Sequence, residues 1–192
     1  MTTLAQTSHP RSLADTLWSD SGLLRNIVLV LAGTALLAIS AKVQVPSYPV
    51  PMTMQTFAVL VIGMAYGWRL GGLTVLAYLA EGAVGLPVFS AGGGLAYFAG
   101  PTGGYLVGFL VSALVVGGLA SLKWDRNVLT TLLAMTIGTA IIFGFGAAWL
   151  SVLAGTEVAI AQGVMPFLIG AAIKIALAAA VLPAAWRLTR AG

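Results

Sequence analysis

The 192-residue chain contains no cysteine and a single histidine, His9. Disulfides, thiolate metal sites and cysteine nucleophiles are excluded, and so is a Cys/His metal cluster. A Ser-His-Asp triad would have to recruit its base from the polar N-terminal stretch, so the chain reads as no enzyme. Charge is also scarce: 7% of residues are Asp, Glu, Lys or Arg, against about 25% in soluble domains. The nine basic residues are scattered singly and make no nucleic-acid patch. Neither Gly92-Gly93-Gly94 nor Gly100-Pro101-Thr102-Gly103-Gly104 is followed by Lys-Ser/Thr, so no phosphate cradle is present. No cofactor or metal is expected.

Hydrophobic residues make up 59% of the chain, which defines an all-α, multi-pass membrane protein. Residues 1–22 read as a cytoplasmic tail with at most a short interfacial helix around Leu13, Leu17 and Trp18, and not as a cleavable signal peptide. Residues 23–190 form the membrane domain. Charge-free runs predict six spans, near 24–41, 53–66, 70–84, 102–122, 128–154 and 163–188. Pro46, Pro49 and Pro51 make residues 43–52 a rigid extended loop. The segment 67–72 is a tight turn. Arg11, Arg25, Arg69, Lys123, Arg126, Arg187 and Arg190 fall on one side and only Lys42 on the other. The positive-inside rule therefore puts both termini in the cytoplasm.

The segment 85–108, GLPVFSAGGGLAYFAGPTGGYLVG, is the organising feature. Its glycines disfavour a helix, and irregular backbone is tolerated at membrane depth only where protein buries it or a cavity is lined. It reads as a cap over a small-molecule site, on the same outer face as the proline-rich loop. No repeat relates the first three spans to the last three, so a symmetric rocking carrier is not supported. A channel would need polar residues recurring along several helices, and spans four and five offer almost none.

Lys174 lies about 11 residues into the last span, roughly 16 Å deep. A charge there costs on the order of 3 kcal/mol and calls for a partner. It reads as a polar anchor for a ligand, with a structural ion pair or a snorkelling lysine as the other account. Glu81 is the candidate partner, unless it sits wet at the outer interface. Gln55, opening the second span, can donate and accept. Thr53 reads as a helix cap. Tyr48, Tyr78, Phe89, Tyr97, Phe98 and Tyr105 read as an outer aromatic belt, with Phe89 and Tyr97 as a wall for a ring system. The spacings Gly63/Gly67 and Ala113/Gly117 signal close helix packing.

The runs VPMTMQTFAVL (50–60), GLPVF (85–89) and GPTGGYLVGF (100–109), with Pro166-Phe167 through Lys174, resemble the BioY family of bacterial biotin transporters. These are the substrate-capturing S components of energy-coupling factor (ECF) transporters. The resemblance implies a compact bundle of six transmembrane helices in the bacterial cytoplasmic membrane, binding biotin from outside. It also implies partners on separate chains, a transmembrane coupling subunit and two ATP-binding subunits. A solitary mode, as a homo-oligomer, stays open, as does a sister specificity for another vitamin or small ring compound. Gln55 and Lys174 match family positions expected in the pocket, beside Glu81, Tyr97 and Phe89 as further candidates. One departure stands out: Ala171 occupies the position where the family pattern PF-x-x-G-D-x-x-K has an acid. Either Glu81 takes over that charge or Lys174 is less basic when the pocket is empty. A second departure concerns the Ala-x-x-x-Ala face that the resemblance implies on the first span for the coupling subunit: Thr34/Ala38 is the nearest i, i+4 pair here, and Ala32, Ala35, Ala38 and Ala41 recur every three residues.

Overall fold

The computed structural model describes residues 12–18 and 22–191, so His9 and Arg11 lie outside the described residues. The short helix α1 (Leu13–Leu17) starts with a reciprocal capping box between Ser12 and Asp15, the arrangement that satisfies two orphan amide donors. Leu13 and Ala14 are buried, and Asp15 takes an ion pair 2.8 Å long from Arg25 near the start of α2 (Leu23–Lys42). Partial burial by itself would raise the Asp15 carboxyl. The hydrogen bonds from Ser12 and Arg25 outweigh it and hold the group below its ordinary value.

After α2 the proline-rich loop closes on itself. Strand β1 (Gln44–Val45) pairs antiparallel with β2 (Met52–Thr53), Gln44 opposite Thr53. The loop expected to be merely extended is thus a short hairpin, its prolines falling outside the paired residues as ladder hydrogen bonding requires.

Helix α3 (Gln55–Ala83) is continuous by hydrogen bonding except at Gly67, where φ 77° and ψ 171° break the helical path. Only glycine adopts such a backbone at no steric cost. The consequence is a reversal. A Cβ added at Gly71 would lie 3.0 Å from the Cα of Gly63, although eight residues of straight helix span about 12 Å. The arms 55–66 and 68–83 therefore fold back on each other, which accounts for the tight turn expected there.

Two short helices were not expected: α4 (Ala96–Ala99) inside the glycine-rich segment and α7 (Thr156–Gly163) in the connection before the last span. The remaining long helices are α5 (Gly103–Ser121), α6 (Val128–Ala154) and α8 (Phe167–Ala191). Helix α5 sits between α3 and α6. Small residues let it approach closely, as at Gly63, where an added Cβ would meet Ala113 backbone at 2.9 Å. Among the described residues five helices are long and apolar enough to cross a membrane: α2, α3, α5, α6 and α8. Helix α8 starts at Phe167 rather than near residue 163, because Gly163 closes α7.

Candidate functional site

The site is built at the end of the bundle that carries the β hairpin. The N-terminal arm of α3 presents Gln55 and Thr56, the glycine-rich segment supplies Phe89, Ser90 and Tyr97, and α5 supplies Tyr105, Leu106 and Phe109. Phe143 of α6 and Phe167, Gly170, Ala171 and Lys174 of α8 complete the wall, with Val50 to Thr53 from the hairpin across the mouth. These residues enclose about 630 Å³, part of it open at the mouth. Mostly apolar walls with a few convergent polar groups are the pattern of small-molecule sites.

The polar groups are individually placed. Lys174 Nζ donates to the Thr53 carbonyl at 2.6 Å and to the Thr56 hydroxyl at 3.0 Å. Gln55 is buried; its Nε2 donates to the Tyr78 hydroxyl at 2.6 Å, and the Thr53 hydroxyl donates to its Oε1 at 3.2 Å. Tyr78 in turn donates to the Val88 carbonyl at 2.9 Å. A chain of hydrogen bonds thus runs from the mouth of the cavity through Gln55 to the glycine-rich segment. Thr53 is not the cap of α3, which is Met54. Its hydroxyl instead accepts from the Gln55 amide at 3.2 Å.

The aromatic wall centres on Phe89. Its ring lies 4.9 Å from that of Tyr97, 5.4 Å from Tyr78 and 5.6 Å from Phe98, within the range of favourable aromatic pairing. Tyr97 and Ser90 are joined through their hydroxyls at 2.7 Å. The backbone around Phe89 is pinned from α2, since Lys42 Nζ donates to the Phe89 carbonyl at 2.6 Å. The following turn is tied to α6 by Trp149, whose indole donates to the Gly100 carbonyl at 2.9 Å. Opposite Phe89, Phe143 and Tyr105 flank Phe167 at 6.1 and 6.5 Å, and Tyr105 donates to the Gly163 carbonyl at 2.7 Å.

Of the residues singled out from sequence, Gln55, Lys174, Phe89 and Tyr97 line one cavity. Glu81 does not line it. Lys174 donates to Thr53 and Thr56, and the expected pairing of Glu81 with Lys174 is absent. The reason is geometric: neutral oxygens of Thr53 and Thr56 already take the ammonium. The Phe89 ring, packed on Tyr78 and over Gly82, fills the space beside the second arm of α3. Tyr78 is a second correction. It is fully buried and braces Gln55 instead of standing in an interfacial belt. Nothing local in the sequence marks it, because the partner is 23 residues away across the reversal at Gly67. Phe143 and Tyr105 were equally illegible as a facing pair around Phe167.

A membrane-embedded cavity with a few fixed polar groups, apolar walls and a loop cap defines a small-molecule capture protein. The BioY family profile matches residues 7–191, and the chain belongs to the BioY family. It is 38% identical over 157 residues to the biotin transporter BioY of Thermotoga maritima, covering 80% of this chain and 92% of that one. It is 35% identical over 156 residues to a probable biotin transporter BioY of Pyrococcus horikoshii, covering 80% and 91%. A solved S-component for biotin from an ECF-type ABC transporter superposes with TM-score 0.74 at 27% identity, covering 88% of this chain and 93% of that one.

Proposed function

We propose that the chain captures biotin at the outer face of the bacterial cytoplasmic membrane and serves its uptake as the S component of an ECF-type transporter. The observation that carries this reading is the convergence of Lys174, Gln55 and the Phe89–Tyr97 wall on one cavity, in a chain whose relatives are named biotin transporters. The bicyclic ring lies between the aromatic walls, and its ureido and carboxylate groups meet Lys174 and Gln55. The reversal at Gly67 supports counting six crossing segments within residues 23–190, since the two arms of α3 run in opposite directions. Together with the basic residues near the Gly67 end, it supports both termini being cytoplasmic. The coupling subunit and the two ATP-binding subunits are proposed as separate chains, with a solitary homo-oligomer as the other mode of working.

Equilibrium binding of biotin to the purified chain in detergent tests the reading, with Lys174→Ala and Ala171→Asp alongside. Saturable binding that is lost in Lys174→Ala supports it. A folded parent that ignores biotin but takes another ring compound sinks it. Ala171 gives that second reading its footing, because it leaves Lys174 without an acid three residues earlier on the same helix face.

A further inference from the structure

At the end of the bundle away from the ligand cavity, a crevice of about 1250 Å³, open to solvent, lies between α1, the first turns of α2 and the Gly67 reversal. Its polar lining includes Arg25, Arg69, Asp15, Asn26 and Tyr66. Two of these are arginines and one is an acid, so the lining keeps a positive balance. Arg25 is 5% exposed. One end of its guanidinium is held by Asp15 at 2.8 Å, while its Nε is buried with no hydrogen-bond partner. A buried, unpartnered guanidinium N–H is costly and favours an incoming acceptor. Arg69 stands on the other side of the turn, its guanidinium 4.9 Å above the Trp68 ring.

We infer that this crevice binds the phosphate of an anionic lipid headgroup. Guanidinium forks match phosphate oxygens and keep their charge. The surroundings identify the source of the phosphate. Trp68 is 47% exposed and Leu73, which lines the crevice, is 52% exposed; Leu23 and Leu24 at the start of α2 are more exposed still. These are surfaces for acyl chains below a headgroup, with an indole at the interfacial level. Basic pockets between helices at this level are where anionic headgroups are recognised. A soluble phosphate compound would use the arginines but gain nothing from the exposed leucines.

The test is lipid retention and thermal stability of the full chain in nanodiscs of phosphatidylcholine, with or without phosphatidylglycerol. Native mass spectrometry should find phosphatidylglycerol enriched on the parent by about fivefold over its bulk fraction, and the melting temperature raised with it. Arg69→Gln, an exposed change outside the ligand cavity, should reduce that enrichment about threefold while leaving stability in pure phosphatidylcholine unchanged. Arg25→Lys keeps the charge beside Asp15 but loses the fork, and should reduce it similarly. Equal enrichment in parent and both variants, or none in the parent, overturns the inference. Inorganic phosphate at about 10 mM, an ionic strength that leaves exposed charges incompletely screened, is the remaining arm. If phosphate alone raises the melting temperature in phosphatidylcholine and displaces the lipid, the lipid assignment falls. If it does neither while phosphatidylglycerol raises the melting temperature, the headgroup is the ligand.

Discussion

Lys174 in α8 sets its ammonium 2.6 Å from the carbonyl of Thr53, a residue 121 positions earlier at the end of the β hairpin. This one bond joins the last helix to the loop across the cavity mouth, so the cation both lines the cavity and holds the hairpin. Replacing Lys174 by Ala should weaken ligand binding about 10- to 100-fold, the value of roughly 1.5–3 kcal/mol for hydrogen bonds to a charged group. Isothermal titration with a folded variant measures it; unchanged affinity would remove Lys174 from the site.

Tyr78 is expected to act as a positioning residue. In Tyr78→Phe the Gln55 amide loses its acceptor and the Val88 carbonyl its donor, at about 1–3 kcal/mol for buried groups left unpaired. Stability should fall by that amount and affinity should drop with it. Gln55→Leu in the Tyr78→Phe background separates the two effects: if Tyr78 acts through Gln55, the affinity losses do not add.

Gly82→Ala should damage the site from behind. An added Cβ would lie 2.0 Å from the Phe89 ring, which is itself 1% exposed and cannot retreat without disturbing Tyr97 and Phe98. Overpacking of this kind costs about 1–3 kcal/mol. A double variant with Phe89→Leu should recover part of the lost stability but not the affinity, because the aromatic wall is then missing.

Lys42→Gln should loosen the cap. Lys42 Nζ ties α2 to the Phe89 carbonyl, so amides of residues 88–94 should exchange faster in the variant. Ligand release should accelerate by up to about tenfold, the value of one such bond, with little change in melting temperature. Exchange rates equal to those of the parent would show that the Trp149 and Tyr78 anchors suffice.

Asp125, in the turn between α5 and α6, is 1% exposed and accepts a hydrogen bond from the Trp186 indole. Burial raises its carboxyl above the ordinary value, outweighing the Trp186 bond and nearby Arg126. With the folded value above the unfolded one, the native state binds more protons in between. This group's contribution is therefore greatest below the unfolded value and is lost as pH rises through the folded one. Asp125→Asn keeps an acceptor for Trp186 and removes the charge. It should flatten that part of the stability curve and be as stable as the parent, or more so, at neutral pH. A steeper pH dependence in the variant would contradict this.

The run lengths, the breaks at the prolines and at Gly67, and the shortage of charge were enough to derive a helical membrane bundle from the residues alone. Membrane spans are legible because the bilayer sets one length and one polarity for every helix. Lys174 was legible for the same reason, since a cation at that depth is costly wherever it points. Its partners were not. Only the folded chain decided that Thr53 and Thr56, rather than Glu81, would take the ammonium, and that Tyr78 would be buried as a brace. Those outcomes depend on how the arms of α3 close at Gly67 and how the Phe89 ring fills the space between. Hydrogen bonds and ring contacts across such distances are set by packing geometry over a few ångströms, which local composition does not encode.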